Sequence, residues 1–248
     1  MSRDHYSYTA YADPEMARTF EDRRFGGPIG ELIAATQAHV LAKFIGTLDG
    51  RSILDVGTGT GRAARLFARG GARVTAVDAS GEMLAVARQR AAAEDLDIPF
   101  LVGDAHALVF PDRSFEVAVS LRVLMHAPRW RLCIAELCRV AERFVVFDYP
   151  SAHSIAALES IVRRGAHGAG IRTEAYRVFR DRTIAGALEQ SSFRVLSMER
   201  QFVLPIAFHK AVGSRRFTQW SERLLDQAGL LKVFGSPVTL IAERCASS

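Results

Sequence analysis

Asp55, Gly57, Gly59 and Gly61 stand in the stretch ILDVGTGTGR (residues 53–62), where three glycines alternate directly after an apolar run that ends in an acid. Glycine lets the backbone turn sharply and come against a ligand with no Cβ in the way. A helix that starts at such a turn presents unpaired N–H groups and the positive end of its dipole to an anionic group. Asp78 follows Asp55 by 23 positions, at the end of ARVTAVD. A carboxylate there can accept hydrogen bonds from two vicinal hydroxyls; the competing role is a helix N-cap, which Ser80 can fill equally well. His126, in LRVLMHAP, carries a side chain whose unperturbed pKa suits acid–base work near neutrality. It is as readily a histidine that packs against a ligand.

The spacing separates the nucleotide sites that begin with a glycine-rich turn. A dinucleotide fingerprint needs glycine or alanine at the place occupied by Arg62. A phosphate P-loop needs Gly-Lys-Ser/Thr, whereas Gly61 is followed by Arg62 and Ala63.

The elements that must position these residues follow from periodicity. ELIAATQAHVLAKFIG (31–46) places Leu32, Ile33, Val40, Leu41, Phe44 and Ile45 at helical spacing. Apolar strands and helical patterns then alternate: strand 52–56, helix 61–69, strand 72–77, helix 81–93, strands 98–102 and 115–119, helix 130–141, strand 143–148. Such alternation predicts βαβ crossovers and a parallel sheet. Strands as uniformly apolar as ARVTAVD and RFVVFD are covered on both faces, so the fold class is α/β and doubly wound. In such sheets ligands sit outside the carboxyl ends of the strands, which singles out Asp55 to Gly61, Asp78, Asp104 and Ser120 to His126. Beyond Pro150 come a helical stretch (SIAALESIVRRG), a Gly-rich break, a helix through 174–190, and strands at 193–203 and 237–243. An amphipathic helical insertion over 204–233 separates the last two strands.

The 248 residues, 49% hydrophobic and 24% charged, suit one domain with a sizeable core. The net charge of +5 rests almost wholly on arginine, scattered with acids along predicted helices, which reads as solvated surface. Three cysteines, Cys133, Cys138 and Cys245, form no CxxC pair and no even disulfide framework. They point to a reducing compartment and away from metal binding. The polar N-terminus and the lack of a long uncharged apolar run predict a cytoplasmic protein without a membrane span.

The glycine loop, VDAS (77–80), GDAHALVFPDRSFEVAVS (103–120) and LMHAP (124–128) together resemble the class I S-adenosylmethionine-dependent methyltransferases, particularly the small-molecule group of ubiquinone and menaquinone biosynthesis. The resemblance covers roughly residues 50–150. It implies a Rossmann-like methyltransferase fold, a mostly parallel seven-stranded sheet with an N-terminal helical lid over residues 1–30 and a cofactor-binding core over 31–150. It implies S-adenosylmethionine as cofactor and S-adenosylhomocysteine as product. The loop residues Gly57, Thr58, Gly59 and Gly61 would cradle the methionine end, with Asp55 accepting from its ammonium. Asp78 would hold the ribose, Ala79 and Met83 would lie near the adenosine, and Asp104 would bond the adenine amino group beside the Ala105 amide. Asp104 is almost equally a turn residue. Ser120, and Tyr11 and Arg24 of the lid, complete the expected contacts.

Methyl transfer from a sulfonium is an in-line displacement that needs mainly positioning, with His126 the candidate base for a hydroxyl or carbon acid. The fourth strand ends in VSLRV, without the Asn/Asp-Pro-Pro-aromatic sequence of amino-methylating nucleic-acid enzymes. That argues against a nucleobase amine acceptor but does not exclude RNA; the favoured acceptor is a small, fairly apolar molecule methylated at oxygen or carbon rather than nitrogen. Phe208, Phe217, Trp220, Leu224 and Leu225 of the insertion could face it, or could cover the sheet or a homodimer contact. An RNA or protein acceptor, and a non-catalytic cofactor-binding module, are the alternatives; monomer and homodimer both stay open.

Overall fold

A computed structural model describes residues 13–154 and 177–246 of the chain. In chain order the elements are α1 (Pro14–Phe25), α2 (Gly27–Ile45), β1 (Ser52–Val56), α3 (Arg62–Arg69), β2 (Arg73–Asp78), α4 (Gly81–Ala92), β3 (Phe100–Val102) and β4 (Phe115–Ser120). A 3₁₀ turn (Leu124–His126) precedes α5 (Trp130–Val140) and β5 (Ala141–Tyr149). Then follow α6 (Asp181–Glu189), β6 (Phe193–Arg200), α7 (Ile206–Val212), α8 (Arg215–Gln227), α9 (Leu231–Phe234) and β7 (Val238–Arg244). Among the described residues no helix is long and apolar enough to cross a membrane.

The seven strands form one sheet in the order β3-β2-β1-β4-β5-β7-β6. β1 to β5 pair in parallel, and β7 enters antiparallel between β5 and β6. The chain runs outward from β1 to β3 and then returns to place β4 on the other side of β1, which opens a crevice between the carboxyl ends of β1 and β4. Successive strand residues face opposite sides: Ile53, Val117, Val119 and Val146 join one buried cluster, Leu54, Ala118, Val145 and Phe147 the other. That is why these strands read as continuous apolar runs. Helices cover both faces, as the doubly wound expectation required.

Local chemistry sets the ends of the N-terminal helices. Asp13 caps α1 by accepting from Glu15 N at 2.8 Å, with Pro14 at the first turn, and Gly26 breaks the chain before α2. Pro28 in its first turn lets α2 start at Gly27, four residues before the periodicity predicts. α1 and α2 pack on the start of the insertion through a small cluster of Ile29, Ile33 and Phe202, joined by Phe25 and Ile206.

Two further boundaries move with a visible cause. The helix predicted over 174–190 begins at Asp181; residues 174–176 lie outside the described residues, as does most of SIAALESIVRRG and the Gly-rich break. Before Asp181 the chain is held extended by a bridge between Phe179 and Ser151, with Phe179 N donating to Pro150 O at 2.9 Å. Burial of Phe179 edge-on to Trp130 and Tyr149 outweighs the helical pattern there. The strand predicted over 193–203 ends at Arg200, because the amides of Val203 and Leu204 leave the sheet and donate to the Glu222 carboxylate of α8 at 2.7 and 2.9 Å.

Candidate active site

The glycine loop turns at the mouth of the crevice. Gly57, Gly59 and Gly61 all have positive φ, at 74°, 57° and 79°. A Cβ at Gly57 would meet Val123 Cγ2 at 2.1 Å, so this glycine lets the loop pass the segment after β4. A Cβ at Gly59 would meet no atom of the described residues within 4 Å, so its bare face is turned away from the loop's own packing. Gly61 caps α3 in the left-handed conformation. The loop is tied down from below by Gly57 N and Thr58 N, which donate to Val77 O at 2.7 and 3.0 Å.

Asp55 is buried at the end of β1, and its Oδ2 accepts from Thr58 Oγ1 at 2.7 Å. Burial pushes its pKa up to about 6, against the opposing hydrogen bond from Thr58 and the attraction of Arg62. A carboxyl so placed gains from an added cation, which is what an ammonium beside it would supply.

Asp78, at the end of β2, accepts from Gly59 N at 2.7 Å through Oδ2 and from Ser80 N at 2.9 Å through Oδ1. It therefore ties the glycine loop to the start of α4. Burial raises its pKa as well. The capping role falls to Ser80, whose Oγ accepts from Met83 N at 3.1 Å. Two bonds leave a carboxylate with lone-pair capacity for two hydroxyls.

One cavity gathers these groups. Its walls include Asp55, Gly57, Thr58, Gly59, Asp78, Ala79, Met83, Asp104, Ala105, Arg24 and His126, all named from the sequence. Gly61 lies behind them, capping α3. Asp104 lines the wall while its Oδ1 engages the Nδ1 of His106 at 2.6 Å and the His106 amide at 2.9 Å, so the turn role is real and coexists with any ligand role. Ser120 is placed otherwise. It is buried, its Oγ donates to Val56 O at 2.9 Å, and it straps β4 to β1, while Leu121, Arg122 and Val123 take the wall beyond it. Tyr11 lies outside the described residues.

A second cavity adjoins the first and shares Phe20, Arg24, Phe25, Arg122 and His126 with it. Its remaining walls come from Met16, Ile33, Asp148, Tyr149, Phe202 to Ala207 and Lys210, among others. The insertion thus contributes its entry and one face of α7. The aromatic stripe expected to do so lies elsewhere: Phe208, Trp220 and Leu224 are exposed, and the rings of Phe208, Phe217 and Trp220 follow one another at 6.2 Å on the outside. Leu225 is likewise absent from the walls. The inner seam of the insertion is polar instead, with His209 Nε2 bonded to Glu222 at 2.8 Å and His209 Nδ1 to Thr218 at 3.1 Å. Satisfying those groups turns the apolar stripe outward.

Among the wall residues, Arg62 and Asp148 were given no ligand role from the sequence, and Arg122 was singled out only by its place after the fourth strand. Arg62, used there only to reject a dinucleotide site, is a guanidinium in the first cavity, bonded to Gln37 and stacked 4.4 Å over the Phe25 ring. Burial lowers its pKa against the attraction of Glu21, Asp55 and Asp148. Arg122 adopts a positive φ of 63° at the junction of the two cavities, its amide held by Asp148 Oδ1. Asp148, the last residue of RFVVFD, stands one residue before the end of β5, near the carboxyl end as Asp78 is in β2, and burial raises its pKa.

Residues 53–143 match the family model described as a methyltransferase domain. Over 191 residues the chain is 31% identical to a ubiquinone/menaquinone biosynthesis C-methyltransferase of Bradyrhizobium sp., covering 71% of this chain and 69% of that protein. It is 36% identical to a malonyl-[acyl-carrier protein] O-methyltransferase of Serratia marcescens over 130 residues, half of this chain and 49% of that one. The fold superposes on the magnesium protoporphyrin IX methyltransferase of Synechocystis, crystallised with S-adenosylhomocysteine, with a TM-score of 0.67, 16% identity and coverage of 96% and 98%.

Proposed function

Because this chain belongs to the class I S-adenosylmethionine-dependent methyltransferases, we propose that it transfers a methyl group to a small, fairly apolar acceptor, at oxygen or carbon rather than nitrogen. The observation that carries this is the shared wall between the two cavities: Arg122 and His126 line both. A cofactor in the first cavity and an acceptor in the second would meet there.

In this reading the first cavity takes S-adenosylmethionine, and the acids and glycines in its wall support the assignment. Asp55 would hold the ammonium, and the loop amides and the start of α3 the carboxylate. Asp78 would take the two ribose hydroxyls, with Met83 and Ala79 against the adenosine and Asp104 and Ala105 at the base. The open face of Gly59 leaves room for that ligand. Bound there, the sulfonium supplies an activated methyl group. What the protein must add is chiefly orientation and exclusion of water, which α1 and the Phe20 and Phe25 rings provide from the lid side. His126, at the junction, positions the acceptor or takes its proton.

The test uses isotopically methyl-labelled S-adenosylmethionine with a bacterial cell extract. Label is expected in organic-soluble small molecules. Label only in acid-precipitable protein or RNA would overturn the reading, and cofactor binding without any transfer would make the chain a binding module.

A further inference from the structure

The acceptor class can be taken further, on the reading that the second cavity is the acceptor site. Several basic side chains elsewhere on the fold pair with carboxylates: Arg65 with Glu21 and Glu94, Arg139 with Asp112 and Glu136, Arg200 with Asp181. Among the described residues, none of the four that gather in the second cavity forms an ion pair with a carboxylate side chain. Arg23 points Nη1 at Met16 Sδ, 3.8 Å away. Arg24 lies 5.7 Å over the Phe20 ring. Arg122 puts Nη2 against Met125 Sδ at 3.9 Å, and its Nε is buried with no hydrogen-bond partner among the described residues. Lys210 Nζ donates to the carbonyls of Arg23 and Arg24, at 2.9 Å each. Desolvation and the like charge of Arg122 hold its ammonium below the usual lysine range.

Among the described residues one acid, Asp148, shares the cavity wall with these four cations. It is buried, its Oδ1 accepts the Arg122 amide, the Arg122 charge attracts it, and its Oδ2 has no hydrogen-bond partner among the described residues. Glu222, behind Val203 and Leu204, is already engaged by their amides and by His209. Asp181, behind Tyr149, is engaged by Arg200 and the tyrosine hydroxyl. Four cations that share one acid beside a partly apolar recess repel one another, a cost that an incoming anion reduces. The rest of the wall, with Ile33, Phe202, Pro205 and Ile206, offers that anion an apolar lining.

We infer that the second cavity takes an amphiphilic anion, an apolar body carrying a carboxylate, phosphate or similar oxygen anion held by Arg24, Arg122 and Lys210. Because Arg122 also lines the first cavity, the charged head lies at the junction and the apolar body extends toward the insertion.

The full chain, saturated with S-adenosylhomocysteine, is titrated calorimetrically with dodecanoate, dodecyl phosphate, dodecanol and dodecyltrimethylammonium below their micelle concentrations. One or both anions are expected to bind at least about tenfold more tightly than the alcohol, as charge-assisted contacts require, and their relative affinities tell carboxylate from phosphate. Lys210→Met and Arg24→Met should each weaken the preferred anion several-fold and leave dodecanol unchanged. Should a variant not fold, added salt on the unmodified protein makes the same distinction by weakening the anion alone. Equal binding of alcohol and anion, preference for the ammonium, or binding of none of the four overturns the inference. A silent S-adenosylhomocysteine titration would instead remove the methyltransferase reading on which it rests.

Discussion

Thr60 of the glycine loop donates its hydroxyl to Glu21 of α1 at 2.7 Å, and the same carboxylate takes Arg65 at 3.1 Å and Arg90 at 2.5 Å. One acid on the N-terminal helix therefore grips the loop, α3 and α4 together. Glu21→Ala leaves two largely buried guanidinium groups short of a partner, a loss of about 1–3 kcal/mol. At about 2–4 °C per kcal/mol for a chain of this size, the melting temperature should fall by several degrees. Limited proteolysis should cut within α1 faster, and S-adenosylhomocysteine should bind more weakly. An unchanged cleavage pattern with unchanged affinity would show that α1 is held by its apolar contacts alone.

Asp78 carries both a ligand role and a structural one, since its oxygens already serve Gly59 N and Ser80 N. Losing charge-assisted bonds worth roughly 1.5–3 kcal/mol should weaken cofactor binding by about ten- to a hundredfold in Asp78→Ala. Its melting temperature should drop too, because two backbone donors lose their acceptor. Asp78→Asn keeps one acceptor oxygen and should lose less of both. Calorimetry beside thermal melts checks this; full affinity with a large melting loss would leave Asp78 purely structural.

The loop glycines should separate by role. Gly57→Ala drives a methyl into Val123 and should destabilise the fold, whereas Gly59→Ala meets no atom of the described residues. Both pay about 1–2 kcal/mol for a left-handed alanine. Only Gly59→Ala, which melts a few degrees below the unmodified protein but above Gly57→Ala, should lose cofactor affinity disproportionately. Equal affinity losses per degree of melting would deny Gly59 its special place.

Asp55 gives the unliganded protein a distinctive pH dependence. Its folded pKa, about 6, lies above its ordinary value of 3.8. The native state therefore holds a proton that the unfolded chain has already released. This contribution to stability is complete below about pH 4 and is lost as pH rises through 6, by an order of about 3 kcal/mol. Asp78 and Asp148, raised in the same direction by burial, act with the same sign. A ligand ammonium reverses the preference, so cofactor binding near pH 6 should release a proton and weaken as pH falls toward 5. Titrations in two buffers of different ionisation enthalpy measure that proton; none released at pH 6 would mean that Asp55 does not face the ammonium.

The β1 loop, the doubly wound sheet and Asp78 were legible in the sequence because each rests on local signals: glycine spacing, apolar runs, an acid closing a strand. Asp148 carried the same signal as Asp78 and was overlooked, its acid absorbed into the apolar strand RFVVFD. The role of Arg122 could not be read, since it depends on a positive φ fixed by Asp148, 26 positions away. Non-local partners also decided the rest. Glu222 ended β6 early, Ser151 drew residues before Asp181 out of a helix, and the His209–Glu222 seam turned the aromatic face of the insertion outward.

Calorimetric titration of the purified chain with S-adenosylhomocysteine and with NADH tests the central assignment most directly. The cavity bounded by Asp55, Gly59 and Asp78 predicts saturable heat with S-adenosylhomocysteine, one site per chain, and none with NADH, because Arg62 stands where a dinucleotide site requires a small residue. Micromolar NADH binding with no heat from S-adenosylhomocysteine would contradict it.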